Sequence, residues 1–355
     1  MSLTELTERM AASGAATEDY RGARTVAVYS DIPTEFAALR SGAGVYDLGW
    51  RARIVLTGSD RVRWLNGMVT NNVRDLPINH GVYAFLLNPQ GRIQADLYAY
   101  NRGEYLLVDT DQWQVEKLLS IFDHYIIMDD VEVSNAGDKL TAIGIAGSKA
   151  FDILQVAGFD IPGLDPLQVR DERWRELGIT LARGDNEALD SYEIWLAPSD
   201  VNRVWEALVE AGATPVGSSA YELLRIAAGI PRYGQDITER DLPQETEQRR
   251  ALHFTKGCYV GQEIVERIHS RGNVHRMFTG FVLQGAKPEA GAKVVVDGKE
   301  VGEITSSAVL PGTNEQFTVA LGYIRREHGA AGKEVMIGNV RANVSNLPFS
   351  NIFSE

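Results

Sequence analysis

The sequence KGCYVGQE (residues 256–263) leads directly into the apolar run of a predicted helix and contains the single cysteine of the chain, Cys258. Gly257 and Gly261 allow the backbone to turn and to approach a ligand closely. The partial positive charge at a helix start favours a thiolate, and Lys256 adds a cation close in sequence. We therefore expect Cys258 to be reactive and partly exposed; a buried, inert cysteine is the alternative.

A group of basic side chains follows this motif. It comprises Arg267, His269, Arg271, His275 and Arg276. In a chain of net charge −13, such a group can hold an anionic ligand through charge-assisted hydrogen bonds. A solvated surface loop explains the pattern equally well.

Length and composition indicate a folded globular protein with more than one domain. The chain has 355 residues, of which 44% are hydrophobic and 23% are charged. Because this length exceeds one ordinary core, two or three domains are expected. The net charge of −13 argues against a general nucleic-acid binder, since affinity for the phosphate backbone requires a basic surface.

The sequence also argues against a metal centre and a membrane segment. One cysteine cannot form an internal disulfide, and it cannot alone hold an iron–sulfur cluster, which takes about four protein ligands. The six histidines lack the HxxxH and HxH spacings of zinc sites. No apolar run reaches the roughly 18 residues of a membrane span, and residues 1–24 lack the apolar block of a signal peptide. We expect a cytoplasmic protein without a metal.

Local patterns predict an α+β protein. Residues 53–65, 142–154 and 192–208 each show a strand, a tight turn and a serine placed to cap a helix. A structural repeat and the general frequency of this pattern are equally good explanations. The three serines are Ser59, Ser148 and Ser199.

Further signals predict a hairpin, a capped helix and a barrel. The turn sequence NPQG (88–91) between two apolar runs predicts a β-hairpin. Ser219 and Glu222 have the spacing of a helix-capping box. The polar segment 232–256 is typical of an excursion over the surface. Short strands split by turns from residue 277 onward predict a separate all-β domain, a small barrel.

Two charged residues lie in apolar surroundings. Glu193 is flanked by aromatic and aliphatic residues in a predicted strand, and Arg225 lies among apolar residues of a predicted helix. A charge in such a setting needs a partner. From the pattern alone, the two residues either form a structural ion pair or face solvent, or they serve a ligand.

These segments together resemble the YgfZ family of folate-binding proteins. KGCYVGQE (256–263) matches the family signature KGCYxGQE, and RIAAGIPRYG (225–234) resembles the RxxxGxPxYG segment shared with aminomethyltransferases. The resemblance extends from about residue 35 to residue 349. Other segments in family order are 44–48, 70–73, 86–93 and 301–306.

The resemblance implies an α+β fold of the aminomethyltransferase type, a three-domain ring with a C-terminal small β-barrel. Its centre would bind tetrahydrofolate or a one-carbon derivative. The implied domains are a discontinuous folate-binding domain, a second α+β domain and the barrel. Their bounds are 1–135 plus 214–276, 136–213 and 277–355.

The resemblance also implies the residues of a folate site. By match of motif, Glu193 would grip the pterin ring, and Arg225 and Tyr83 would contact the folate. A carboxylate can accept two parallel hydrogen bonds from the aminopyrimidine edge, and aromatic rings suit the flat pterin face. The motif residues are Lys256, Gly257, Cys258, Tyr259, Gly261, Gln262 and Glu263.

One position departs from the aminomethyltransferase pattern. Those enzymes carry two adjacent carboxylates after the hairpin turn, and this chain has Ala95-Asp96. We therefore take Asp96 and Cys258 as candidate catalytic residues and expect glycine-cleavage aminomethyl transfer to be weak or absent.

The first functional hypothesis is a folate-dependent accessory protein for the assembly or repair of iron–sulfur enzymes, including those that modify transfer RNA. Its partners would be folate and iron–sulfur proteins, with no direct nucleic acid and no membrane. The alternative is a transferase or demethylase that passes a one-carbon unit to tetrahydrofolate. Asp96 would then act as general base or electrostatic stabiliser. A folate-binding module without chemistry of its own is a third possibility.

Overall fold

The computed structural model describes residues 5–12, 14–161, 163–186, 189–272, 274–312 and 316–349. Within these residues, short helices accompany mainly antiparallel sheets, as the sequence pattern predicts. The chain separates into two compact units. Unit 1 comprises residues 1–67, 72–84 and 97–221, and unit 2 comprises residues 68–71, 85–96 and 222–355. The division into three domains stays a prediction.

The described α-helices are short, from seven residues in the fifth to eleven in the fourth. They are α1 (Glu5–Ala12), α2 (Ile32–Ser41), α3 (Arg61–Met68), α4 (Val115–Tyr125), α5 (Ala150–Val156), α6 (Val201–Glu210), α7 (Ser218–Ala227) and α8 (Gln262–Arg271).

The described strands form three larger sheets and one small ribbon. They are β1 (Thr17–Tyr20), β2 (Ala23–Val26), β3 (Gly44–Asp47), β4 (Arg51–Thr57), β5 (Gly81–Leu87), β6 (Ile93–Asn101), β7 (Leu106–Asp111), β8 (Glu132–Asn135), β9 (Thr141–Ala146), β10 (Val169–Trp174), β11 (Leu177–Arg183), β12 (Ser191–Leu196), β13 (Thr214–Pro215), β14 (Arg276–Leu283), β15 (Lys293–Val296), β16 (Lys299–Pro311), β17 (Gln316–Arg325), β18 (Glu334–Ile337) and β19 (Val340–Ser345).

Two sheets carry the site of unit 1. One has the strand order β10-β11-β12-β9-β3-β13, and the other has the order β5-β6-β7-β4-β8. The central strand β9 is buried at every position. Its apolar side chains pack with those of β12 and α6, including Ile143, Ile145, Ile194, Trp205 and Leu208. The alternating apolar residues of these strands therefore form the core that holds β12 in place.

The C-terminal strands close into a barrel, which confirms the prediction of a small all-β domain. The strand order is β14-β17-β16-β15-β18-β19. Register shifts occur between Val294 and Val295 and between Ile304 and Ser306. Such bulges bend a strand and increase its twist, so they help a short sheet to close.

The predicted serine caps are wrong, although a helix follows the strand in all three places. The Ser59 hydroxyl donates to Asp130 Oδ2 over 2.8 Å instead of capping α3. The residues at the cap positions of α5 and α6 are Lys149 and Asp200, and neither side chain makes a capping bond. The tight turns, rather than the serine hydroxyls, therefore set these helix starts.

The predicted capping box is also wrong. Helix α7 begins at Ser218, two residues earlier than a box with Ser219 as the N-cap requires. The carboxylate of Glu222 accepts hydrogen bonds of 3.0 and 2.6 Å from Arg225, one turn further along the helix. The glutamate therefore pairs with the buried arginine.

Segment 232–256 is not the surface excursion that its polar composition suggests. Asp236, Asp241 and Thr246 are all at most 3% exposed. Their side chains accept or donate hydrogen bonds within unit 2, for example between Thr246 Oγ1 and the Pro243 carbonyl over 2.7 Å. These buried polar residues are tolerated in the interior because they form hydrogen bonds with one another and with neighbouring arginines.

Asp236 is the most connected of these carboxylates. Its Oδ2 accepts from Arg225 Nη1 over 2.7 Å and from the Arg232 amide over 2.9 Å. Its Oδ1 accepts from Thr305 Oγ1 over 2.5 Å and from Ser306 Oγ over 2.7 Å. The side chain is fully buried. Asp236 therefore ties the end of α7 to strand β16 of the barrel.

We expect Asp236→Ala to lower the free energy of unfolding by about 3–5 kcal/mol, because it leaves the buried Arg225 without its fully buried counter-charge. Urea denaturation measures this loss. Asp152→Ala, at an exposed position of α5, is the matched control and should change stability little. A loss below about 1 kcal/mol for Asp236→Ala would contradict this account of unit 2.

Candidate functional site

The candidate site of unit 1 is built around Glu193 on β12. In register, Glu193 pairs with Gly144 of β9, and Gly144 pairs with Tyr46 of β3 on its other side. A Cβ on Gly144 would lie 2.1 Å from the Tyr46 ring. The Tyr46 ring thus lies across β9 on the face that carries Glu193, and only glycine fits at position 144 because the ring fills the space of a side chain.

Two cross-strand ion pairs between β4 and β7 supply the charged groups around Glu193. Arg51 lies opposite Asp111, and Arg53 lies opposite Asp109. Arg51 Nη1 is 2.6 Å from Asp111 Oδ1, and Arg51 Nη2 is 2.8 Å from Asp109 Oδ1. Arg53 Nη2 is 3.4 Å from Asp109 Oδ2. The pairing of the strands thus delivers four charged side chains to one place in the interior.

The two oxygens of Glu193 have different surroundings. Oε2 accepts a hydrogen bond of 2.7 Å from Trp195 Nε1 and lies 3.4 Å from Arg53 Nη2. Among the described residues, none donates a hydrogen bond to Oε1. The Glu193 side chain is 29% exposed, whereas that of Arg53 is fully covered. One carboxylate oxygen is therefore open to a ligand, and the other is fixed by the protein.

The electrostatic setting of Glu193 is that of an enclosed carboxylate. Burial raises the pKa of Glu193 above its ordinary value, and the nearby carboxylate of Asp109 raises it further. The guanidinium groups of Arg53 and Arg51 and the hydrogen bond from Trp195 act in the opposite direction. The charged form of Glu193 thus depends on these donors.

Tyr83 belongs to the same unit as Glu193. Its ring centroid is 5.0 Å from that of Tyr98, and the Arg51 guanidinium lies 5.7 Å from the Tyr98 ring. A chain of contacts through Tyr98 and Arg51 therefore connects Tyr83 with the charged cluster. Its contact with folate stays a prediction.

Arg225 lies in unit 2, where its guanidinium donates hydrogen bonds to several residues at once. Its side chain is 2% exposed. The guanidinium donates to Glu222, to Asp236, to the Ile230 carbonyl over 2.6 Å and to Ser306 Oγ over 3.0 Å. Its nitrogens are thus occupied by the protein, and its predicted role as a folate contact stays untested.

Asp96 lies on the half-buried face of β6. Ala95 is fully buried, and the burial of residues 93–97 alternates along the strand. The carboxylate of Asp96 is near enough to Tyr233 to help raise the pKa of that phenol, although burial is the main cause. Tyr233 Oη donates to the Gln94 carbonyl over 2.5 Å. Asp96 thus lies on the same accessible face as Gln94.

The KGCYVGQE motif packs against the β5–β6 turn. Gly261 has φ = +81° and precedes α8, and a Cβ there would lie 2.6 Å from the Asn88 carbonyl oxygen. The turn glycine Gly91 packs equally closely on Ile264, since a Cβ there would lie 2.8 Å from the Ile264 Cβ. Glycine at 261 thus provides both a left-handed backbone and a close approach.

The lysine of the motif is a packing residue and not an exposed cation. Lys256 is 1% exposed, and its Nζ donates to the Val69 carbonyl over 2.5 Å. Its Nζ also lies 4.8 Å from the Tyr259 ring centroid. Burial raises the pKa of Tyr259 to about 12, with a further contribution from Glu266. Lys256 and Tyr259 therefore anchor the loop that carries Cys258.

Cys258 itself is exposed, as predicted. It precedes Gly261, the residue before α8, and Gln262 and Glu263 form the first turn of that helix. The thiol therefore reaches solvent from a loop whose two ends are anchored. Its chemical reactivity stays a prediction.

The expected anion-binding group of basic residues is only partly available. Arg276 is paired with Asp241 over 2.6 Å and with Glu245 over 3.0 Å, which corrects the prediction for this residue. His269 stacks on Phe254 with ring centroids 3.8 Å apart. The side chain of Arg271 lies outside the described residues. Arg276 is neutralised by its own unit because the buried carboxylates of segment 232–256 need a counter-charge.

The sequence reasoning missed Arg51, Arg53, Asp109 and Asp111. A signal was present, since both pairs repeat at i and i+2 and therefore lie on one face of their strands. Matching charges on two strands about 58 residues apart become partners only when the register is known.

No group of three or more His, Cys, Asp or Glu side chains is arranged to hold a metal ion within the described ranges. Among the described helices, none is both long and apolar enough to cross a membrane.

Comparison with known proteins gives matches along almost the whole chain. The family description "GCVT N-terminal domain" matches residues 6–256, and "Glycine cleavage T-protein C-terminal barrel domain" matches residues 276–350. An aminomethyltransferase of Rubrobacter xylanophilus is 31% identical over 98% of this chain and 93% of its own length. An aminomethyltransferase of Thermus thermophilus is 30% identical over 98% of this chain and 99% of its own length.

A solved structure has the same fold. The glycine cleavage system aminomethyltransferase T of Bartonella henselae superimposes with a TM-score of 0.87 at 23% identity. The match covers 97% of this chain and 96% of that protein.

We expect Glu193→Gln to raise the melting temperature near pH 8 above that of wild type. Because the folded-state pKa of Glu193 is raised, the neutral form is favoured in the fold. That stabilisation is present below the unfolded pKa of about 4.3 and is lost as the pH rises through the folded value. The Glu193→Gln variant does not lose this stabilisation as the pH rises, because glutamine does not ionise.

The gain should therefore vanish toward pH 4, where wild-type Glu193 is itself neutral. Scanning calorimetry across the pH range measures the difference. Glu104→Gln, in the exposed turn after β6, should show no such pH-dependent gain. A melting temperature lower than wild type at pH 8 would contradict the electrostatic account.

Proposed function

We propose that this chain, which belongs to the glycine cleavage T-protein (aminomethyltransferase) superfamily, binds tetrahydrofolate and transfers a one-carbon unit to it. The predicted α+β aminomethyltransferase fold with a C-terminal barrel is confirmed. The observation that carries the proposal is the match of both family descriptions in order over nearly the full length. The relatives named above are aminomethyltransferases over the same span.

The donor set around Glu193 suits the edge of a pterin ring. Glu193 Oε1 accepts no hydrogen bond from the described residues, and the side chain is partly exposed. An ionised carboxylate oxygen of this kind accepts strongly from the N–H groups of an aminopyrimidine. Because Trp195 and Arg53 already occupy Oε2, we expect Oε1 to make the main contact. Oε1 makes the main contact in this proposal, whereas two parallel hydrogen bonds to the carboxylate are expected from the sequence.

Asp96 is the carboxylate that remains for proton transfer. It lies on the half-buried face of β6, whereas Ala95, at the other position of the pair, faces the core. A carboxylate at an accessible face can take a proton from an amine nitrogen or stabilise positive charge that develops there. When bound, tetrahydrofolate supplies the nitrogen that accepts the one-carbon unit. In this proposal, Asp96 handles the proton.

We expect Glu193→Gln to bind tetrahydrofolate about 30-fold more weakly than wild type, which corresponds to about 2 kcal/mol for one lost charged hydrogen bond. Isothermal titration calorimetry at pH 7.5 measures the affinity. Because the same variant is expected to be no less stable than wild type, weaker binding cannot be ascribed to unfolding. Equal affinity of the two proteins would remove Glu193 from the site.

Turnover tests the transfer step separately from binding. The protein is incubated with tetrahydrofolate and an aminomethylated carrier protein, and methylene-tetrahydrofolate and the released ammonia are measured. In a second assay small N-methyl amines are the donors, and methyl-tetrahydrofolate and the demethylated amine are measured. Asp96→Asn should lower turnover by about 10²–10⁴-fold with little change in folate affinity. A wild-type protein that binds tetrahydrofolate but yields no product with any of these donors would contradict the proposed transfer.

A second candidate function follows from the KGCYVGQE motif. The exposed thiol of Cys258 on an anchored loop favours the accessory role in iron–sulfur enzyme assembly or repair that the resemblance to the YgfZ family implies. We expect Cys258→Ser to leave folding and folate binding intact. The same change should abolish support of iron–sulfur enzymes in cells. Normal activities of those enzymes in the Cys258→Ser strain would eliminate this candidate, and Cys258→Ala is the control for the size of the side chain.

A further inference from the structure

Arg53 is a fully buried cation with few partners. Its side chain is 0% exposed, and its Nη2 lies 3.4 Å from both Asp109 Oδ2 and Glu193 Oε2. The other two nitrogens, Nε and Nη1, are buried and have no acceptor among the described residues. The guanidinium carbon lies 5.5 Å from the Trp195 ring centroid. A purely structural arginine would be expected to satisfy more of its donors.

Arg53 bridges two carboxylates, those of Asp109 and Glu193. Asp109 is already bound by Arg51, whose Nε donates to it over 2.9 Å. Glu193 has no other guanidinium within ion-pairing distance among the described residues. Since Arg53 Nη2 lies between the two, it is the group that offsets the repulsion between Asp109 and Glu193.

The charges of the cluster balance only when Glu193 is ionised. Three guanidinium groups face three carboxylates, namely Arg21, Arg51 and Arg53 against Asp109, Asp111 and Glu193. Removal of Arg53 would leave an excess negative charge in a buried place, and Glu193, the most exposed carboxylate of the cluster, would be the one to take up a proton.

We propose that Arg53 is a positioning residue for Glu193: it holds the carboxylate in its ionised form and fixes Oε2, so that Oε1 alone faces a ligand with N–H donors. This inference rests on the proposed function for the identity of that ligand. The charged state of Glu193 is a property of the protein alone and can be measured without folate.

The groups that face Glu193 come from six elements. They are Tyr46 of β3, Arg51 and Arg53 of β4, Tyr100 of β6, Asp109 of β7, Trp195 of β12 and Tyr221 of α7. The tyrosines are neutral at ordinary pH because burial raises the pKa of each phenol. Only the two arginines and Asp109 therefore set the charge around Glu193.

Trp195 provides a reporter for the ionisation of Glu193. Its indole N–H donates to Glu193 Oε2 over 2.7 Å, so the indole proton resonance changes when the carboxylate takes up a proton. The chain has six tryptophans, and the signal of Trp195 is identified by its loss in Trp195→Phe. A pH titration of the ¹⁵N-labelled protein then gives the midpoint for Glu193. Glu193→Gln should abolish this titration, which verifies its origin.

We expect Arg53→Met to raise the midpoint by about one pH unit or more, the effect of losing an adjacent cation. Arg53→Lys keeps a positive charge and should return the midpoint to within about 0.3 units of wild type. Arg63→Met, at an exposed ion pair on α3, is the matched control and should not move it. If Arg53→Met does not fold, Arg53→Gln is measured in its place.

A wild-type midpoint in folded Arg53→Met or Arg53→Gln would overturn the inference, and so would an Arg53→Lys protein that titrates like Arg53→Met. Tetrahydrofolate binding is measured in parallel, at a pH at which Glu193 is ionised in both the wild type and the Arg53 variant. A shifted midpoint in a protein that never binds tetrahydrofolate would support the role of Arg53 and refute the proposed function. Normal folate binding with an unshifted midpoint would support the proposed function and refute the role of Arg53.

Discussion

The site of unit 1 depends on an arginine held between a buried carboxylate, Asp109, and a partly exposed one, Glu193. Arg53 Nη2 is equidistant, at 3.4 Å, from Asp109 and Glu193. An isolated carboxylate in such a place would take up a proton, because desolvation disfavours its charge. The cross-strand register of β4 and β7 puts the arginine where it can prevent this. Glu193 can then act as a charged acceptor in an enclosed setting.

The same physical problem is solved differently in unit 2. There the buried carboxylate of Asp236 uses all its capacity for the fold, with donors from Arg225, Arg232, Thr305 and Ser306. Such a saturated group stabilises structure but has nothing left for a ligand. Glu193 differs because none of the described residues donates a hydrogen bond to its Oε1. The free acceptor oxygen of Glu193 is the feature that indicates a ligand site.

Local sequence patterns predicted the elements better than their contacts. The NPQG turn gave the hairpin correctly, and the C-terminal turns gave the barrel, because both depend on neighbours in sequence. The serine caps were wrong, since Ser59 found Asp130 as a partner about 71 residues away. The prediction for segment 232–256 was wrong for the same reason: Asp236, Asp241 and Thr246 are buried beside partners that composition does not reveal.

The candidate site was predictable in part. Glu193 was singled out because its neighbours are apolar, and that reasoning needs no knowledge of the fold. Arg53 and Asp109 could not be paired from sequence, since their contact follows from the register of two strands. The motif around Cys258 was recognisable as a pattern, yet the structural duties of Lys256 and Gly261 appear only when Val69 and Asn88 are placed beside them.

The central claim is that tetrahydrofolate binds at Glu193, and the indole signal of Trp195 tests it most directly. Tetrahydrofolate is added in steps to the ¹⁵N-labelled protein, and the six tryptophan indole resonances are followed. We expect a saturable shift of the Trp195 signal. A donor bound to Glu193 Oε1 alters the charge on Oε2, and Oε2 is the oxygen to which the Trp195 indole N–H donates. The exposed Trp113 should serve as the unmoved reference. A Trp195 signal that stays fixed at saturating tetrahydrofolate would contradict the account.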